Sequence, residues 1–150
     1  MISRRRYLGL LPIAGLTGCL SSDADPTEPL GKVSVDNFLR RPVTVTVTIE
    51  KEGETRHTAE YQLRAYKEEE HDHPELVTIQ EPWMGDTVNY TATFDVPSVG
   101  KSTYSSEKHE EDFTGSGCWS IAASIDTYDD GREIIDIAVG GLIEGAVTCP

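Results

Sequence analysis

From Val43 to Ile49 the chain reads Val-Thr-Val-Thr-Val-Thr-Ile, apolar at every odd position and threonine at every even one. A helix would scatter these residues around its circumference, whereas a strand sorts them onto two faces. The segment therefore predicts a half-buried strand. β-Branching throughout stiffens χ1, which suits a pleated sheet better than a helix. One face of this strand must be covered by other parts of the chain.

Several other segments supply that cover. Glu50 to Thr55 contains a glycine and predicts a turn, after which Arg56 to Leu63 returns with Tyr61 and Leu63 on one face, completing a hairpin. Leu76 to Ile79 is a short strand candidate. Val88 to Phe94 alternates with Val88, Tyr90, Ala92 and Phe94 facing in, and Trp119 to Ile125 does so with Trp119, Ile121, Ala123 and Ile125. Asp129-Asp130-Gly131-Arg132 carries an Asp-Gly hairpin signal, and Glu133 to Val139 returns from it. With Val33 to Val35 as a first strand, the reading gives about seven strands and no helix. The fold class expected is all-β, an immunoglobulin-like antiparallel β-sandwich. Pro97 to Gly117 is rich in Ser, Gly, Lys and Glu and is assigned an edge strand with a long loop. Gly140 to Pro150 is expected to add a last strand carrying Cys149 to Cys118.

The first residues address the chain. Ser3-Arg4-Arg5-Arg6-Tyr7-Leu8 sets an arginine pair, Arg4 and Arg5, ahead of an aromatic and a leucine, as twin-arginine export signals do. A short apolar stretch from Leu8 ends in Leu16-Thr17-Gly18-Cys19, a lipobox in which Cys19 is lipidated and becomes the new N-terminus. That stretch falls short of the roughly 20 apolar residues that span a bilayer. Residues 1–18 are thus read as a signal peptide, 19–31 as the lipidated cysteine with a flexible tether, and 32–150 as one β-domain. The location expected is the outer face of the cell membrane, reached only through the lipid. With Cys19 assigned to lipid, Cys118 and Cys149 remain as a pair, and an oxidising compartment favours a disulfide between them. Metal-ligating thiolates are the weaker alternative, since neither cysteine has a histidine within four residues or lies in Cys-x-x-Cys.

Charge narrows the partners. Three of the 13 basic residues lie in 1–18, leaving ten against 26 acids, a formal −16. Such a surface repels nucleic acid and anionic membranes. Being acidic and poor in lysine, it fits a protein working in high salt, where self-repulsion is screened.

These features together bear a resemblance. The Ser3–Leu8 and Leu16–Cys19 motifs, the run from Val43 through Thr55, and the late cysteine pair around Asp129-Asp130-Gly131 are similar to the small twin-arginine-exported lipoproteins of haloarchaea, which carry one immunoglobulin-like β-sandwich after an acidic linker. The resemblance implies a fold and a location, and brings no activity. The chain departs from antibody-type domains, because no cysteine lies between Leu20 and Gly117 and Trp119 sits beside Cys118.

Candidate chemistry is sparse. Glu68-Glu69-Glu70-His71-Asp72-His73-Pro74-Glu75 places His71 and His73 two apart, so that with Asp72 they make the alternative reading of an extracellular metal-binding protein. The competing reading is a solvated acidic loop. His57 and His109 stand apart and are taken as surface residues. A blue-copper centre fails for want of ligands, since no histidine or methionine follows Cys118. Neither Gly-x-Ser-x-Gly nor a phosphate loop occurs. Asn89-Tyr90-Thr91 is an acceptor triplet for N-glycosylation at Asn89. Trp83 is expected to cap one end of the sandwich, or else to contact a partner. The expected function is a non-enzymatic, cofactor-free module acting by contact on an envelope protein or glycan.

Overall fold

The computed structural model describes residues 29–70, 73–108, 117–141 and 149. Eight strands follow in order: β1 (Leu30–Asn37), β2 (Val43–Lys51), β3 (Glu54–Leu63), β4 (Leu76–Ile79), β5 (Tyr90–Val96), β6 (Gly100–Ser105), β7 (Trp119–Thr127) and β8 (Glu133–Gly141). Short 3₁₀ turns at Pro82–Gly85 and Ser106–Lys108 complete the described elements. The strands form two four-stranded sheets, ordered β4-β1-β7-β8 and β3-β2-β5-β6. Their inner faces share one core, making a β-sandwich.

The alternation in the sequence is the alternation in burial. Val43, Val45, Val47 and Ile49 of β2 are buried, and the threonines between them are half-exposed. Tyr90, Ala92, Phe94 and Val96 of β5 continue the same inner face, and Trp119, Ile121, Ala123 and Ile125 of β7 oppose them from the other sheet. Val88 lies just before β5 and packs against the core from outside it. The β2–β3 hairpin turns on Glu52 and Gly53, both at positive φ (52° and 78°), the two-residue loop whose twist matches the strands. Arg56 is the extra residue of a bulge opposite Ile49/Glu50.

Two features depart from expectation. β1 pairs with β7 in parallel, because both strands start at the same end of the sandwich after crossing from elsewhere. β1 begins at Leu30, two residues inside the segment assigned to the tether, and Leu30 is fully buried. β6 is the edge strand expected within Pro97–Gly117. Tyr104 is its one buried residue, so its sequence of lysine, serine and threonine shows no apolar alternation.

The registers give the sandwich two distinct poles. β1 and β7 start at one pole, with the Glu52–Gly53 turn and Pro82–Gly85, and Cys118 and Cys149 are disulfide-bonded there (Cα–Cα 5.8 Å). Trp119 packs on Tyr90 and Tyr104, and Trp83 on Tyr90 (centroids 6.0–6.4 Å). Trp83 thus caps this end. Its ring also lies 5.9 Å from the Arg56 guanidinium. The opposite pole carries the β1–β2, β3–β4, β5–β6 and β7–β8 connections.

Candidate functional site

The opposite pole holds an open groove of about 530 Å³, lined by Phe38, Leu39, Arg40, Arg41, Asp126, Thr127 and Glu133. Its floor depends on Asn37, a fully buried amide at the end of β1. The Asn37 Nδ2 donates to the carbonyls of Arg41 (3.0 Å) and Arg64 (2.8 Å), and its Oδ1 accepts from the Leu39 N–H (3.0 Å). A short polar side chain that bonds its own backbone two residues on is a favoured way to turn a chain. The Phe38 N–H donates to Ile125 O and the Tyr66 N–H to Leu39 O, each at 2.8 Å, while the Phe38 and Tyr66 rings meet edge to face at 5.6 Å. The segments 38–41 and 64–66 are therefore bound side by side.

Arg41 closes the groove across three loops. Its guanidinium donates from Nε to Glu133 Oε1 (3.0 Å) and from NH2 to Glu133 Oε2, and NH1 donates to Ser98 Oγ (3.1 Å). A fork matched to a carboxylate fixes direction as well as distance. The hydrogen bonds hold the Arg41 guanidinium above its usual range and the Glu133 carboxyl below its own. Arg40, the next residue, is exposed, and no ion pair joins it to another described residue. Tyr128 is 54% exposed, with the Arg132 guanidinium 5.4 Å from its ring centre. Arginine and aromatic side chains thus gather at one end of an acidic chain.

Outside the groove, Asp36 of β1 is half-buried with its Oδ1 buried and unpartnered. Burial pushes its carboxyl up, against a hydrogen bond with Ser124 that lowers it, and Asp126 raises it further.

Cys118 and Cys149 are brought together, at the end of the sandwich away from the groove. Arg4, Arg5, Cys19, His71, Asp72 and His109 lie outside the described residues; His73 is exposed. Among the described residues no three His, Cys, Asp or Glu side chains converge to hold a metal ion. His57 is not the plain surface residue expected. It is half-buried, its ring stacks parallel to Tyr61, and its Nε2 lies 3.0 Å from the Tyr61 hydroxyl. Asn89, expected to face outward, is half-buried before β5, with its Oδ1 accepting from Ser106 Oγ (3.4 Å). Asn37, Arg40, Arg41 and Glu133 drew no attention in the sequence. Only the adjacent Arg40-Arg41 pair in a basic-poor chain signals them.

Comparison of the chain with protein-family models and with curated proteins gives no match.

Proposed function

We propose that this chain is a non-catalytic lipoprotein of the cell exterior, anchored through Cys19, which acts by contact through the pole that carries the groove. The observation that supports it most is the polarity of the sandwich. The tether enters at Leu30, beside Trp119 and the disulfide, and the groove opens at the other end. A domain held by its N-terminal end presents the opposite loops outward. Those loops carry Arg40, Phe38, Tyr128 and Arg132, the residue types that dominate binding energy at interfaces. They are also braced by the Arg41–Glu133 fork, which lowers the ordering cost of binding.

The reading keeps the twin-arginine signal, the lipobox and the salt-adapted surface as parts of one design, similar to the haloarchaeal lipoproteins. The partner is an envelope protein or glycan. The test compares the wild-type chain with Arg40→Glu/Tyr128→Ala and with Lys51→Ala as immobilised baits in molar salt. A component retained by wild type and Lys51→Ala but lost tenfold from the double variant supports the reading. Equal retention on all three baits overturns it.

A further inference from the structure

We propose that β3 is a self-pairing edge, through which two copies of this chain join their β3-β2-β5-β6 sheets antiparallel about a two-fold axis at Ala59. The proposal is independent of the contact reading above.

β6 and β8 close one side of the sandwich against each other, and β4 is four residues long. β3 is ten residues long, and among the described residues β2 is its only ladder partner. Glu54, Arg56, Thr58, Glu60 and Gln62 are all exposed along it. A long edge of unpaired N–H and C=O groups is a template for another strand unless charge, proline or a bulge blocks it. Here the blocks sit only at the ends. The bulge at Arg56 closes the start, and at the finish the Arg64 N–H donates to Glu75 Oε2 (2.6 Å). Between them runs His-Thr-Ala-Glu-Tyr-Gln-Leu, free of proline, glycine and lysine.

The direction of the backbone follows from hydrogen bonds already fixed. The Tyr90 N–H turns away from β2 to Ser106 Oγ (2.9 Å), and Arg64, just past the end of β3, sends its N–H away from β2 to Glu75. In an antiparallel ladder successive residues alternate direction. Thr58, Glu60 and Gln62 therefore offer their N–H and C=O groups to the open side.

Charge then selects the register. A dyad at Glu60 would oppose Glu60 to its own copy and Arg56 to Arg64, a like-charge arrangement that is destabilising. A dyad at Thr58 relies on Arg56, which is bulged and already lies over Trp83. With the dyad at Ala59, Thr58 faces Glu60 of the second copy and His57 faces Tyr61, so no like charges are opposed between the two blocks. The same surface serves both copies, as a two-fold interface requires.

The experiment is sedimentation velocity of the full chain in detergent and molar salt, with two kinds of variant. Thr58→Pro removes an N–H aimed at the second copy and leaves the β2–β3 ladder intact, so it should give monomer with unchanged circular dichroism. Ala59→Cys places two thiols at a non-hydrogen-bonded pair, where Cα atoms lie about 4.5 Å apart, within disulfide reach. It should cross-link on mild oxidation, whereas Thr48→Cys should not; this arm holds even if Thr58→Pro fails to fold. A wild-type chain that stays monomeric at 100 μM, or a dimer in which Ala59→Cys does not cross-link, overturns the proposal.

Discussion

Replacing Asn37 with alanine should be among the most damaging single changes outside the apolar core. The amide is fully buried and makes three hydrogen bonds, two to carbonyls and one from an N–H, spread over two connections of the same pole. Removing it leaves three backbone groups without a partner, and an orphaned buried group costs about 1–3 kcal/mol. The Arg41 and Arg64 carbonyls belong to half-exposed and exposed residues, so water reaches them and the lower figure applies. The Leu39 N–H belongs to a buried residue and carries the higher one. The sum is about 5 kcal/mol, a third or more of the stability of a typical domain. Chemical unfolding in urea should show this loss in the midpoint with an unchanged slope. Asn37→Asp keeps the acceptor for Leu39 and loses both donors, turning a carboxylate toward two carbonyls. It should be no more stable than the alanine variant. A loss below 1 kcal/mol for Asn37→Ala would show that the loops hold their path without the amide, and the account of the groove floor would fall.

Reducing the Cys118–Cys149 bond frees a 31-residue separation, so the double Cys→Ser variant should lose about 3–4 kcal/mol in the chain-entropy model, measured by urea titration. The Tyr90 phenol is pushed up to about 12, chiefly by burial, with the Asp86 charge adding to it. Because the folded value is raised, the stability it confers is complete below pH 10 and is lost between pH 10 and about 12; Tyr90→Phe should flatten that alkaline decline. Glu133 is held low by Arg41, so its contribution is present above the ordinary carboxylate range and fades on acidification; Glu133→Gln should reduce the acid dependence of the melting temperature. With 26 acids in the chain, the melting temperature should rise from low to molar salt, and an indifferent midpoint would remove the salt-adapted reading.

The sequence displayed the fold wherever a strand had one wet face and one dry face. β2, β5 and β7 do; the inward residues of β2 and β7 are the ones expected, and β5 keeps Tyr90, Ala92 and Phe94 but buries Val96 in place of Val88. β1 hides its pattern because polar residues are buried on it, Ser34 and Asn37 beside Val33 and Val35. β6 hides its own because Tyr104 alone anchors it. The parallel β1–β7 pairing has no local signature at all, since it depends on where two distant strands enter the sandwich. The groove was illegible for a related reason. Arg41 and Glu133 are 92 residues apart, and Asn37 and Arg64 are 27 apart, so neither partnership leaves a spacing to read.

The two poles are stabilised by different physics, and this bears on what each can do. At the pole where β1 and β7 begin, the disulfide, the Trp83–Tyr90–Trp119–Tyr104 cluster and the buried Met84 provide covalent and apolar cohesion that salt does not weaken. At the groove the cohesion is directional: an amide with three bonds and a guanidinium fork. Directional bonds fix the loops without consuming their apolar and cationic surface. Arg40, Tyr128 and Leu76, at 54–56% exposure for the last two, consequently stay available on a firm base. A loop end held by hydrophobic collapse would have drawn those side chains inward. Polar bracing at the groove and a sealed core at the opposite pole is the division expected under the proposed contact role, in which the domain works by presenting a surface.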